Sequence, residues 1–522
     1  MAWARMSAYP AVSILLGRDA SVPISTRTGD LSRQFRITLT MTTYQQVIRA
    51  IFEHVDYSRT RQVPYNASTY NLDRMRALNA RLGFPHRAYP SLHIAGSKGK
   101  GSTAAMTTAI LQAAGYRTGL YTSPHLHSFR ERIRIDGRLI PHERLVELWE
   151  ILRPHVDAFD HTTTFEIITT LAFMHFADPP VDWAVLEVGL GGRLDATNII
   201  EPRACAITTL THEHTDLLGH TLSLIAFEKA GIIKPGVPVV VGPQVQEAMQ
   251  VIEDVAEETG ARLWRVGNPE EETDIPHPRY DWTWRIREAT MSGSRIDIVG
   301  PDWSLSDLYI PLAGYHQAAN ATVAVALLAS LQPDEIHISP DAIREGMANT
   351  YWPGRLEILS RLPFIVADSA HTRQSAERIR QSLALYPHRR LILLFGASAD
   401  KDIRGMLEVL GVEAHEIIVT RSFHPRAADP HTLADLARDV VPGVPVHITE
   451  DALPALELAE TLTRAGDMVL VTGSIFVVAA VRESLCRLQP DAFPAEDWVH
   501  HAEPIDGVFT PMLATPTHTG TR

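Results

Sequence analysis

From about residue 92 the chain alternates short apolar runs with longer stretches whose apolar residues recur at helical spacing. LHIAG (92–96) predicts a strand ending in glycine. TAAMTTAILQAAG behind it sets Met106, Ile110, Leu111 and Ala114 at helical spacing, with Gly115 as the stop. GLYT (119–122), DWAVLEVG (182–189), ACAITTL (204–210) and VPVVVG (237–242) predict further strands. The second of these is too apolar for a wet face, so it belongs in the centre of a parallel sheet. TTTFEIITTLAFMHFAD (162–178) predicts a buried helix behind threonine caps, and TTYQQVIRAIFEHV after Met41 an amphipathic one.

Between about 262 and 312 the period changes. YDWTWRI, SRIDIVG and DLYIPL alternate apolar and polar residues, as in an antiparallel meander, and HQAANATVAVALLASL (316–331) returns to a helix. After WPGR (352–355) a second strand series begins with PFIVAD, RRLILLFG, HEIIVT, VPVHIT and DMVLVTG, separated by helical segments. The expected organisation is a disordered extension over 1–40, an α/β nucleotide-binding domain over 41–348, a doubly wound domain over 349–490 and a loosely held tail over 491–522.

Composition narrows the function. The chain has 522 residues, too many for one core, and 48 basic against 61 acidic side chains give a net charge of −13. That balance argues against general nucleic-acid binding while leaving room for a local basic pocket. The two cysteines, Cys205 and Cys486, are isolated and fit a reducing cytoplasm. No apolar run reaches the length of a membrane span.

Chemistry concentrates in a few strings. GSKGKGST (96–103) follows a strand and opens a helix, so its backbone N–H groups form a nest for phosphate, although it lacks the G-x-x-x-x-G-K-[ST] spacing. Lys100 would neutralise the phosphates, and Ser102 or Thr103 would reach magnesium. Ser123 of TSPH and Glu187, at the carboxyl end of its strand, offer hard oxygen ligands. Arg193 and Asp195 follow in GLGGRLDATN. His212, His214 and His220 contain no H-x-x-x-H pair, which argues against zinc.

GSKGKGST, YTSPHL, FRERIRIDG, LEVGLGGRLDATN, EHTDLLG, EKAGIIKPGVPVV, YHQAAN, WPGRLEI, DSAH and FGASADKD come in one order over most of the chain. In this the chain resembles the folylpolyglutamate synthase/dihydrofolate synthase family, within the Mur-type ATP-dependent amide ligases. The resemblance implies a P-loop ATPase-type domain with a parallel sheet and a small antiparallel meander, then a Rossmann-like ligase domain.

It also implies site residues. Gly96, Gly99, Lys100, Gly101, Ser102 and Thr103 would hold ATP, with Asn320 on the adenine side and Arg355 and Asp368 reaching in from the C-terminal domain. Ser102, Ser123, Glu187, His214 and a carbamylated Lys229 would hold two magnesium ions. Phe165, Glu166, Arg193, Leu194, Asp195 and Ala196 would line the pterin side, and Lys100, Lys229 and His371 would serve catalysis.

The sequence departs from the family pattern where Lys98 replaces an asparagine of the loop, adding charge beside the triphosphate. It departs again where DSAHTR (368–373) replaces DGAHNP, which puts glutamate specificity in question, and where Glu213 replaces an aspartate. The implied enzyme activates a carboxylate of dihydropteroate or tetrahydrofolate with ATP as an acyl phosphate. The amine of L-glutamate then attacks it, and the enzyme acts as a cytoplasmic monomer without nucleic-acid or membrane partners. The alternatives are a Mur-type ligase with another acceptor or amine, a nucleotide-binding switch, and an amino-acid-binding protein without catalysis.

Overall fold

The computed structural model describes residues 42–55, 66, 69–70, 72–271, 273–275, 279–331, 335–485, 494 and 497, with the backbone of Ala502–Ile505 and Val508–Pro511. The expected extension over 1–40 and Cys486 lie outside the described residues, which fall within the compact unit Thr42–Arg522.

Eleven strands form the first sheet: β1 (Ser91–Ala95), β2 (Thr118–Tyr121), β3 (Ile133–Ile135), β4 (Arg138–Leu139), β5 (Trp183–Glu187), β6 (Ala204–Ile207), β7 (Val239–Val241), β8 (Leu263–Gly267), β9 (Trp282–Thr290), β10 (Gly293–Val299) and β11 (Ser304–Ile310). Their order is β11-β10-β9-β8-β7-β6-β1-β5-β2-β3-β4. Strand β5 lies between β1 and β2, parallel to both, where its apolar sequence places it. Val185 packs with the helices Lys100–Ala113 and His316–Ala329, while Ala184 and Leu186 pack with Tyr44–Glu53, His142–Val156 and Thr164–Ala177. Alternate side chains are thus buried on opposite faces. The meander β9–β11 is antiparallel as expected, but it is no separate sheet, because β8 pairs parallel with both β7 and β9.

The second sheet comprises β12 (Glu357–Arg361), β13 (Phe364–Ala367), β14 (Leu391–Phe395), β15 (Glu416–Val419), β16 (Val446–Ile448) and β17 (Met468–Thr472), ordered β12-β13-β17-β14-β15-β16. All pairs are parallel except the edge strand β12, whose mixed sequence gave no strand signal. Buried polar contacts join the two halves of the molecule: His127 bonds Glu483 at 2.9 Å through one ring nitrogen and meets Arg482 through the other. No helix among the described residues is long and apolar enough to cross a membrane.

Candidate active site

Gly96 and Gly99 shape the loop after β1. Gly96 has φ +146, and a Cβ there would lie 1.8 Å from Thr208 Oγ1; Gly99 has φ +93, and a Cβ would meet Asn320 Oδ1 at 2.2 Å. Neither position accepts a side chain. The N–H groups of Ser97 and Lys98 donate to Thr209 O, so this loop runs beside the one after β6. The helix Lys100–Ala113 begins at once, and the N–H groups of its first turn, which lack intrahelical acceptors, face the cleft with Lys100, Gly101 and Ser102. Lys100 Nζ folds back onto Gly96 O at 2.9 Å. Thr103 is fully buried behind the loop and does not line the cleft, which departs from its expected place beside the metal.

The order β6-β1-β5-β2 explains why residues scattered in sequence meet. These four neighbours are parallel, so the segments leaving their carboxyl ends lie side by side, carrying His214, the glycine loop, Glu187 and Ser123 respectively. Glu187 is buried and accepts the Ser123 N–H at 3.1 Å. Burial pushes its carboxyl upward, against the opposing pull of Lys100, that N–H, Arg355 and Arg132. His214 sits at φ 52, a left-handed conformation unusual for histidine. Desolvation inside the cleft lowers its pKa although 41% of the side chain stays exposed, so the ring is neutral and able to act as a ligand.

Lys229 lies on the helix Leu222–Ala230 and is 4% exposed, a more buried position than a snorkelling lysine takes. Desolvation and then the nearby Lys100 bring its pKa down to about 7. Among the described residues no hydrogen bond or ion pair engages its amine. A neutral buried amine is the form that reacts with carbon dioxide.

A cleft of about 1040 Å³ runs from this centre in two directions. One arm is lined by Phe165, Glu166, Leu194 and Ala196, together with Tyr44, Phe52 and Phe129. Glu166 and Asp195 on this side are already committed. Glu166 completes a capping box with Thr163 and pairs with Arg74, and Asp195 accepts the N–H groups of Gly189, Leu190 and Thr197. Their part is to hold the walls. Arg193 departs from expectation: it pairs with Glu228 at 2.7 Å, stacks over Phe227 and does not line the cleft.

The same arm is met by Asp497, from the stretch expected to be loosely held. Its buried carboxylate accepts from Arg130 Nε at 2.8 Å and Ser128 Oγ at 3.1 Å, and lies 2.9 Å from His142 Nε2. No sequence signal marked Asp497 or Arg74. Removing one partner of a buried ion pair costs about 3–5 kcal/mol. Asp497→Ala is therefore expected to lower the thermal midpoint by several degrees in a calorimetric scan. A midpoint equal to the parent's would show that this carboxylate anchors nothing.

The other arm is bounded by the second half. Arg355, Asp368 and His371 line it, with Asn320, whose side chain packs on Gly99 and donates to Gln317. Asp368 accepts the N–H groups of Leu356 and Ala370 and so fixes the turn that carries Arg355. Within DSAHTR, Thr372 is the N-cap of the helix Arg373–Ser382, accepting from Ser375 N–H, and Arg373 turns aside to Glu408 at 2.7 Å. Asparagine and proline suit those two positions equally well, as N-cap and first helical residue. The double substitution Thr372→Asn/Arg373→Pro is expected to leave the glutamate KM within about twofold, the surface pair being worth little. A clear rise would mean that this turn selects the amino acid.

Lys98 departs from expectation too. It forms an ion pair with Glu213 at 3.2 Å instead of presenting free charge to a triphosphate, because the loops after β1 and β6 run together. Among the described residues, no cluster of three or more His, Cys, Asp or Glu side chains is arranged for a metal. The donors here are instead Ser102, Ser123, Glu187 and neutral His214. One carboxylate with hydroxyls, leaving room for phosphate oxygens and water, fits magnesium.

Two family models match the chain: the Mur ligase middle domain over residues 94–328 and the Mur ligase glutamate ligase domain over 354–475. The dihydrofolate synthase/folylpolyglutamate synthase of Bacillus subtilis is 34% identical over 425 residues, covering 79% of this chain and 94% of that protein. Folylpolyglutamate synthase of Mycobacterium tuberculosis, solved with ADP and AMPPCP, superposes with a TM-score of 0.73 at 34% identity, over 79% of this chain and 95% of that one. The bifunctional enzyme of Yersinia pestis, solved with AMPPNP and a manganese ion, gives 0.72 at 30% identity, over 85% and 98%. The chain belongs to the dihydrofolate synthase/folylpolyglutamate synthase family of Mur ligases.

Proposed function

We propose that the cleft joins L-glutamate to the carboxylate of a folate-type acceptor at the expense of ATP, releasing ADP and phosphate. The observation that carries this reading is the convergence of the glycine loop, Glu187, Ser123 and His214 at the ends of four adjacent strands, between an apolar arm and an arm closed by a second α/β sheet. A carboxylate is a poor acyl donor. Transfer of the γ-phosphate to its oxygen makes an acyl phosphate, and attack by the glutamate amine expels phosphate. No side-chain nucleophile is needed, so positioning and charge neutralisation carry the rate.

The loop from Gly96 to Ser102 holds the phosphates, with Lys100 as counter-charge and Arg355 approaching from the second half. Ser102, Ser123, Glu187, His214 and Lys229 as its carbamate would hold two magnesium ions, which when bound supply further positive charge to the triphosphate. Phe165, Leu194 and Ala196 face the acceptor's ring system, and His371 orients the incoming amine. Residues 41–348 and 349–490 act as the two domains of a cytoplasmic monomer.

Purified protein with magnesium, ATP and glutamate tests this in two tubes, one holding dihydropteroate and one tetrahydrofolate, read by ADP release and product mass. Product in both tubes means both activities, and product in one assigns a single activity. ADP without glutamylated product in either tube overturns the folate reading.

A further inference from the structure

Glu213 Oε1 is shared by a lysine and a histidine of different origin, with the neighbouring His214 Nε2 further off at 3.9 Å. Lys98 Nζ, from the loop after β1, lies 3.2 Å away, and His371 Nε2, from the loop after β13 in the second half, also lies 3.2 Å away. His371 is fixed in turn by Nδ1, 3.0 Å from Ser369 O. The side chains of Lys98 and Glu213 are 16% and 10% exposed, so the pair is largely out of water. All three line the cleft between the halves. Two of the positions at which the sequence departs from the family pattern, 98 and 213, therefore fall on one contact, and they meet there His371, which keeps the pattern.

The charges explain why the departures go together. A nearly buried carboxylate facing only the imidazoles of His371 and His214 would be poorly compensated, and Lys98 supplies the missing charge. Without Glu213, Lys98 would instead add an unpaired cation close to Lys100 and Lys229, both of which it already opposes electrostatically. Glutamate is also one methylene longer than aspartate, which extends the carboxylate from the end of β6 toward His371.

We infer that Glu213 is a positioning residue that holds His371 against the phosphate loop and so completes the glutamate site when the halves meet, with Lys98 as its obligatory counter-charge and not a phosphate ligand. The inference rests on the ligase reading above. It assigns Lys98 and Glu213 one joint role, felt by the amino acid and not by the nucleotide.

The test is a double-mutant cycle in the full-length enzyme with Lys98→Met, Glu213→Gln and the pair Lys98→Met/Glu213→Gln, which removes both charges together and keeps an acceptor for His371. Glutamate is titrated at saturating ATP and acceptor, and AMPPNP affinity is measured separately by calorimetry. Each single variant is expected to raise the glutamate KM about tenfold or more, a coupling of the size contacting residues show. AMPPNP affinity should stay within about twofold of wild type, and the paired variant should recover most of the loss. Recovery in the pair shows that the singles were not merely misfolded.

A Lys98→Met protein that loses AMPPNP affinity while Glu213→Gln gains it would identify Lys98 as a phosphate ligand and overturn the inference. So would singles with wild-type glutamate KM, or a paired variant as impaired as the worse single. Wild-type protein that shows no glutamate-dependent ADP release with either acceptor would remove the ligase reading itself, and the inference with it.

Discussion

Lys100→Ala is expected to lower ATP-dependent product formation by about 10²- to 10³-fold, the usual cost of losing one preorganised charge at a reacting group. Lys100 is the first residue of the helix that opens on the cleft, and its recorded hydrogen bond is to Gly96 O, four residues back. That bond closes the loop on itself and supports little else, so the variant should fold. Its thermal midpoint should stay close to the parent's while turnover collapses. Lys100 is also the second-largest influence on the titration of Lys229, after burial, and on that of Glu187. Its charge therefore reaches the groups assigned to the metals as well as the triphosphate. Retained turnover would mean that the nest of backbone N–H groups is sufficient, and that Lys100 has been given the wrong part.

Lys229→Ala is expected to reduce turnover at least as severely, and to be partly rescued by a short carboxylate such as acetate or formate. The side chain is buried, its pKa is brought down to about 7 so that the neutral amine is well populated near neutral pH, and among the described residues no acid is paired with it. A permanently charged lysine there would feel Lys100 most strongly and Lys98 as well, with Glu213 and Asp195 in opposition. Converting the amine to a carbamate reverses its sign and removes that conflict. A second readout needs no turnover: wild-type protein equilibrated with isotope-labelled bicarbonate should show a carbamate carbon signal in NMR that Lys229→Ala lacks. Full activity in the alanine variant, or an identical spectrum, would remove the carbamate from the reading.

Much of this molecule was legible along the chain. The strands LHIAG and DWAVLEVG, the capped helix after Thr163 and the second strand series all form where their patterns place them, because each is dominated by apolar residues. The glycine loop was legible because strand, glycines and helix follow one another within a few residues. Glu187 was legible because it ends its strand just before GLGGRLDATN, whose glycines let the backbone approach a ligand closely.

Other features had no local signal. Strand β12 depends on pairing with β13 and not on its own residues. Arg193 and Lys98 looked like free cations until Glu228 and Glu213, distant in sequence, neutralised them. Thr372 and Arg373 cap and open a helix as well as lining the cleft, a structural part that the sequence did not show. Asp497 came from a stretch read as loose, and it is the buried partner of Arg130.

Sequence alone determined the elements, the phosphate loop and the chemical class, since these depend on residues within one turn or strand of each other. Only the tertiary structure decided which charges remain available to a ligand. An ion pair is made by groups that the fold brings within a few ångströms, and in low dielectric that proximity outweighs anything their sequence neighbours impose.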